Sequence, residues 1–257
     1  MSAWQELDDE LARWADTGRT ATLWWRDDDA IDATPQLDRL LGLRARHDVT
    51  LGLAVIPERA TEALAARLAD DGGTAVLQHG YAHQNHADDG AKKIELGPHR
   101  PAMVVLGELG TGWLALERLF GPRSLPVMVP PWNRIAPALV PTLPEIGLRG
   151  LSTFAPRKRA EPVRGLRQVN THVDPIDWHG GRGFVGEREA VAGLARSLAI
   201  RRLAEVESSV REEPTGLLTH HLVQDEAVWA FLDRLFARLR AHSGVRILAP
   251  QEVFGLS

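Results

Sequence analysis

The sequence predicts an α/β fold, a closed or nearly closed (β/α) barrel with an open doubly wound sheet as the alternative, from three observations. Short apolar runs alternate with helical patterns about seven times, which implies parallel strands joined by helical crossovers. The length, 257 residues, suits one such barrel. No Gly-rich phosphate loop follows the first strand, which argues against an open dinucleotide-binding sheet.

Trp4, Leu7, Leu11 and Trp14 recur at helical spacing and predict an amphipathic opening helix, packed outside the barrel within 1–18. A strand is expected over 22–25. Leu37, Leu40, Leu41 and Leu43 predict a helix over 35–46. A buried strand over 49–56 follows, then a helix from Pro57 through Asp70, with proline in a favourable first turn and Gly72-Gly73 as its stop. The third strand spans 75–78. Residues 84–104 are polar and irregular and read as a long functional loop. Beyond it the pattern predicts a helix over 109–120, a strand over 125–129, a short helix over 138–146 and a strand over 148–153. A charged loop (157–164), a strand (166–173), a long helix (188–208), a strand (216–219), a helix (226–240) and a last strand (245–248) complete the chain. No repeat, low-complexity tract or linker interrupts it, so one domain over 1–257 is expected.

Composition narrows the function classes. A formal net charge of −4 with no long basic run gives nucleic acid or an anionic membrane no electrostatic support. The absence of cysteine excludes disulfides, thiolate catalysis and Cys-based zinc sites. Any metal must sit on imidazole and carboxylate. The first twenty residues carry seven charged side chains and no apolar run, unlike a signal peptide, and no stretch reaches a membrane span, so a cytoplasmic protein is expected.

Candidate chemistry falls at the predicted strand ends, where a parallel barrel assembles its active site. Asp27, Asp28 and Asp29 directly follow the first strand; three adjacent carboxylates repel unless a cation or a shared proton offsets them. A solvated turn with a helix N-cap at Asp32 or Thr34 is the plain alternative. His79 and His83 follow the third strand, four apart, and meet at one point if the loop makes a helical turn. Among ten histidines such a pair is a modest signal, strengthened by the nearby acids; His86 and His99 follow as possible outer groups. Two His and one Asp suit Zn²⁺ or a similar divalent ion with a position left for water, the mark of catalysis rather than structure. Pro130-Pro131-Trp132-Asn133-Arg134 forms a stiff loop that could aim a backbone N–H at an oxyanion and stack a tryptophan on a sugar, or merely close a barrel end. The stretch from His172 through Asp174, Asp177 and Trp178 to His179, and the strand running into His220, supply further acids and imidazoles. Each of these could equally be a satisfied structural group.

Taken together and in order, these five segments resemble the polysaccharide deacetylase family, the NodB-homology or carbohydrate esterase family four domain. Its first motif ends a strand with two aspartates, as Asp28 and Asp29 do. Its second is His-x-x-x-His, matched by His79 and His83. Its third is a proline-aromatic loop, matched by Pro131 and Trp132. Its fourth is Asp-Trp, matched by Asp177 and Trp178. Its fifth is a strand ending Leu-x-His, matched by Leu218 and His220. The likeness runs from residue 22 to about 222.

The resemblance implies a distorted (β/α)7 TIM-like barrel and metal-dependent hydrolysis of an N-acetyl amide or another non-peptide C–N bond. Asp28 would be the general base and Asp29 a metal ligand with His79 and His83, with Asp27-Asp28 as the alternative register. His220 would be the general acid, Asp177 a further catalytic carboxylate, and the Trp132 N–H an oxyanion donor. Tyr81, Pro131, Trp132, Asn133, Arg134 and Trp178 would line the substrate site. The ion expected is zinc, with cobalt, nickel or manganese as alternatives. The substrate expected is an N-acetylated sugar, an oligosaccharide or a related small amide. A deformylase or cyclic amidase, a catalytically weakened carbohydrate-binding homologue and a metal-free glycosidase are the rivals. One departure stands out: the family's third motif carries an arginine just before its prolines. Here Val129 stands there, leaving Arg134 or Arg26 to substitute.

Overall fold

The computed structural model describes residues 2–256. The opening helix α1 (Ala3–Asp16) buries Leu7, Leu11 and Trp14, and the Trp14 indole donates to the Leu198 carbonyl at 3.2 Å. Strands β1 (Ala21–Ala30), β2 (Leu51–Val55), β3 (Thr74–His79) and β4 (Ser124–Val129) alternate with helices α2 (Pro35–Arg46), α3 (Glu62–Leu68) and α4 (Ala102–Phe120). Short strands β5 (Gly150–Leu151) and β6 (Arg167–Gln168) precede α5 (Glu187–Leu203), β7 (Thr215–Thr219), α6 (Glu226–Arg240), β8 (Val245–Ile247) and α7 (Pro250–Phe254).

The strands are parallel and ordered β6-β5-β4-β3-β2-β1-β7, with β8 pairing the first residues of β1. The ring is completed by the chain after β6. Thr171 N donates to Thr153 O on the β5 side, while His172 N donates to Gly216 O and Leu218 N to Val173 O on the β7 side. Closure rests on isolated bridges rather than a ladder, which is the distortion in this (β/α)7 barrel.

Side chains alternate across each strand. From β1, Trp24, Arg26 and Asp28 point inward, while Leu23 and Trp25 join the outer core against the helices. Trp25 lies 4.7 Å from Phe236 on α6. The barrel floor is apolar, built from Trp24, Ala54, Leu77, Val127 and Val169. Helix α7 closes it from below, with Phe254 edge-on to Trp24 at 5.6 Å. The rim above is polar.

Several elements differ from expectation. Strand β1 runs through the three aspartates to Ala30 instead of stopping before them. Helix α2, by contrast, keeps its expected bounds and is capped by Thr34, one of the two N-caps the sequence offered, whose Oγ1 accepts from Leu37 N. The helix expected from Pro57 divides into a 3₁₀ turn at Pro57–Arg59 and α3, capped by Thr61. Helix α4 starts seven residues earlier than its pattern suggests, because Gly107 interrupts the added stretch and Met103 and Val104 stand exposed rather than on a buried face. A Cβ at Gly112 would stand 2.8 Å from Gln78 Nε2 and 3.0 Å from the Pro57 ring, so a bare backbone is what lets α4 pack there. Pro141 and Pro144 hold 137–146 in a 3₁₀ form. The strand expected over 148–153 pairs regularly only at Gly150–Leu151, and α5 ends at Leu203. Helix α7 has no counterpart in the periodicity. Among the described residues no helix is long and apolar enough to cross a membrane.

Candidate metal centre and catalytic rim

The three aspartates have three different surroundings. Asp27, fully buried, faces outward: it accepts from the Thr219 hydroxyl at 2.6 Å and the His221 backbone N–H at 3.0 Å, and pairs with His221 Nδ1 at 2.5 Å. It fastens β1 to β7. Asp28 faces inward beside Arg26 of the same strand, with Arg26 Nε 2.9 Å from Oδ1 and Nη2 donating to Oδ2 at 3.0 Å. Strict alternation would send Asp29 outward with Asp27. A positive φ of 74° at Asp29, within the register shift between β1 and β2, turns it back over the rim instead.

His79 ends β3. Its Nδ1 donates to the Val129 carbonyl at 2.9 Å, which fixes the proton on Nδ1 and turns Nε2 to Asp29 Oδ1, 3.0 Å away. His83 Nε2 lies 3.3 Å from the same oxygen. Each of the three residues offers one ligand atom, all within 4.8 Å of one another. No helical turn brings the histidines together. Residues 80–84 are irregular, and His83 reaches the centre through a positive φ of 58°.

Charge couples the cluster. Burial pushes the Asp29 carboxyl up, but the His79 hydrogen bond and the charges of His79, His220 and His83 outweigh it and hold it well below the usual carboxylate range. Burial depresses His79, yet Asp28 and Asp29 more than offset this and raise it. Burial and the His79 charge lower His83. A carboxylate and two imidazoles arranged so tightly in a half-buried rim fit a divalent cation: His79 is already oriented by a backbone carbonyl, and the donor set is hard to borderline.

Pro131–Asn133 form a 3₁₀ turn with positive φ at Trp132 (53°) and Asn133 (56°). The first-turn N–H of Trp132 is of the kind such a turn leaves without an internal acceptor. The Trp132 ring packs on His83 at 4.4 Å. Asn133 Oδ1 accepts from Arg26 Nη2 at 2.6 Å, and Arg26 Nη1 also reaches Ser152 Oγ at 2.7 Å. Arg134 instead donates to the Lys93 carbonyl. Of the two arginines expected to replace the one missing at Val129, Arg26 is therefore the one beside Asp28. Pro131 is buried, and Tyr81 packs against the cluster under α4.

His220 extends β7 to the rim. Its nearest carboxylate is Asp174, with Nδ1 3.9 Å from Oδ2, and Trp178 lies edge-on to it at 4.7 Å. The Trp178 indole donates to that same Oδ2 at 2.7 Å. Asp177 is used otherwise: Oδ1 accepts from the N–H groups of His179 and Gly180, closing a turn. So the acid that faces His220 is Asp174, three residues before the one matched to the motif. Trp178 remains 38% exposed at the mouth.

Sequence reasoning left two groups without a role. Asp174 lay in the right stretch, but nothing local distinguished it from Asp177. Glu95 carried no motif signal at all, yet it is buried against the loop of His83. A cavity of about 190 Å³ beside α5, lined by His172, Ser197, Ile200 and Arg201, shares no residue with the rim cluster.

Compared with known protein families and with curated protein sequences, the chain matches none. Its fold is that of the carbohydrate esterase family four deacetylases. A candidate polysaccharide deacetylase from Mycobacterium smegmatis superposes with a TM-score of 0.66 at 16% identity, over 93% of this chain and 90% of that one. A peptidoglycan N-acetylglucosamine deacetylase gives 0.58 at 17% identity, covering 96% and 97%. A family 4 acetyl xylan esterase from Clostridium thermocellum, holding a cobalt ion, gives 0.54 at 14% identity, covering 91% of each. At such identities the likeness is one of fold.

Proposed function

We propose that the protein is a metal-dependent hydrolase that removes the acetyl group from an N-acetylated sugar or related amide. The observation that carries this reading is the convergence of Asp29, His79 and His83 ligand atoms within 4.8 Å, beside a carboxylate held by a buried arginine. The fold neighbours that act as deacetylases and esterases, one with cobalt bound, support it.

Asp29, His79 and His83 would hold the ion, zinc or alternatively cobalt, nickel or manganese. Such an ion supplies Lewis-acid polarisation of a carbonyl and makes water more acidic. Asp28, oriented by Arg26, takes the proton from the attacking water. The Trp132 N–H donates to the oxygen of the tetrahedral intermediate, where negative charge develops. His220 then protonates the departing amine, with Asp174 stabilising the imidazolium. Trp178 offers an exposed aromatic face at the mouth to a sugar ring, and Asp177 shapes the turn that carries it.

The test is acetate release from a panel of N-acetylated mono- and oligosaccharides and small acetamides, with the metal stripped and then restored. Activity that depends on added ion and disappears in His79→Ala supports the proposal. Full activity in metal-free His79→Ala protein would refute it. Turnover confined to formamides or cyclic amides would keep the metal chemistry and move the substrate class.

A further inference from the structure

The loop that brings His83 to the rim makes no regular structure, so its N–H groups need acceptors from elsewhere. Gly80 N donates to Val129 O, and the Tyr81 carbonyl accepts from Glu58 N. The next donors turn to one side chain. Glu95 Oε2 accepts from Tyr81 N at 3.2 Å, and Oε1 accepts from Ala82 N at 2.8 Å and Gln84 N at 3.4 Å.

Glu95 is 1% exposed, deeper than carboxylates normally lie, and the chain is built to deliver it. Asn85 Oδ1 accepts from Ala87 N and Ile94 N, and His86 N donates to Ile94 O, so 85–94 doubles back on itself. Leu96 is then anchored by the Ala136 N–H at 2.7 Å. Residue 80 leaves the carboxylate its place only by being glycine: a Cβ there would stand 1.9 Å from Glu95 Oε2 and 2.6 Å from the Pro131 ring. Backbone N–H groups bonded to a carboxylate make charge-assisted bonds, stronger than neutral ones.

We propose that Glu95 is a positioning residue for the metal centre, a buried carboxylate that grips the backbone on both sides of His83 and holds its Nε2 towards Asp29. It touches neither ion nor substrate. The role rests on the reading that Asp29, His79 and His83 bind a cation. It also explains how His83 keeps a left-handed backbone, which is costly for a non-glycine residue unless its surroundings enforce it.

The experiment titrates Co²⁺ into metal-stripped wild type, Glu95→Gln, Glu95→Asp and His79→Ala, following the visible absorption of the bound ion. Thermal melting of each metal-free protein runs alongside. Wild type should bind and His79→Ala should not. Glu95→Gln, which fills the same space, should weaken Co²⁺ affinity about tenfold to a hundredfold, the usual effect of losing a group that orients a ligand. Its bands should shift while its metal-free melting stays near wild type. Glu95→Asp keeps the charge but draws the oxygens back by a methylene, and should also weaken binding. Wild-type affinity and spectrum in both Glu95 variants would overturn the positioning role and leave the cation site standing. So would a fall in melting temperature with affinity unchanged. No saturable binding by wild type would instead overturn the cation site itself, and Glu95's role with it.

Discussion

Arg26 and Asp28, two apart on one strand, form a side-by-side ion pair in the barrel interior, at 2.9 and 3.0 Å and with both side chains nearly inaccessible. The pair is local, but its orientation is not. Asn133 and Ser152, from two other strand ends, take the remaining guanidinium donors. The arginine thereby sets where the inward aspartate stands relative to Asp29 and His79.

Arg26→Lys keeps the charge and loses the fork. It should lower kcat by about a hundredfold, the scale of a misplacement near 1 Å at a reacting group, with metal content unchanged. Arg26→Ala leaves a buried carboxylate unpaired and should cost about 3–5 kcal/mol of stability in urea unfolding. A Lys variant with wild-type kcat would remove Arg26 from the account.

Asp28 and Asp29 should separate cleanly by mutation. Asp28→Asn and His220→Ala should retain metal and lose on the order of 10²–10⁴ in rate, because under the proposed mechanism each removes a proton-transfer group and no ligand. Asp29→Ala should lose metal. Metal analysis paired with single-turnover kinetics checks this. Loss of metal in Asp28→Asn with retention in Asp29→Ala would exchange the two roles.

Asp174 gives the site a pH signature. Burial pushes its carboxyl above the ordinary 3.8, and the His220 charge and the Trp178 hydrogen bond do not fully offset that. The folded protein therefore holds this proton more tightly than the unfolded chain. Its contribution to stability is greatest below the ordinary value and declines as pH rises towards the folded one. Asp174→Asn should flatten the stability curve in the pH range just above the ordinary carboxylate value, measured by urea unfolding, and should lower kcat as His220 loses the carboxylate beside it. Identical pH slopes in the two proteins would show that this carboxyl is not raised.

The barrel floor should be separable from the rim. Phe254→Ala removes the ring packed on Trp24 and should cost about 3–5 kcal/mol, with Co²⁺ affinity close to wild type because the proposed ligands Asp29, His79 and His83 stand at the other end. Metal loss at temperatures where the variant remains folded would tie floor to rim.

The parallel order of strands and helices was legible in the sequence because hydrophobic period is a local property. With the order known, topology brings the carboxyl ends of all the strands to one rim. That is why Asp29, His79, His83 and His220 could be picked out before the fold was seen, and they do lie together there. The start of α4 was hidden because Gly107 and the exposed apolar side chains of Met103 and Val104 break the amphipathic period over its first turns. The choice of Asp174 over Asp177 was equally hidden: both lie in one short stretch, and only the turn closed on Asp177 frees the other to face His220. Glu95 reaches Ala82 from thirteen residues away by a chain reversal that no spacing announces. Residue types at strand ends are written in the chain. The positive φ at Asp29 and His83 and the partner of each buried carboxylate belong to the packed fold, because both are settled by what surrounds a residue rather than by its neighbours in sequence.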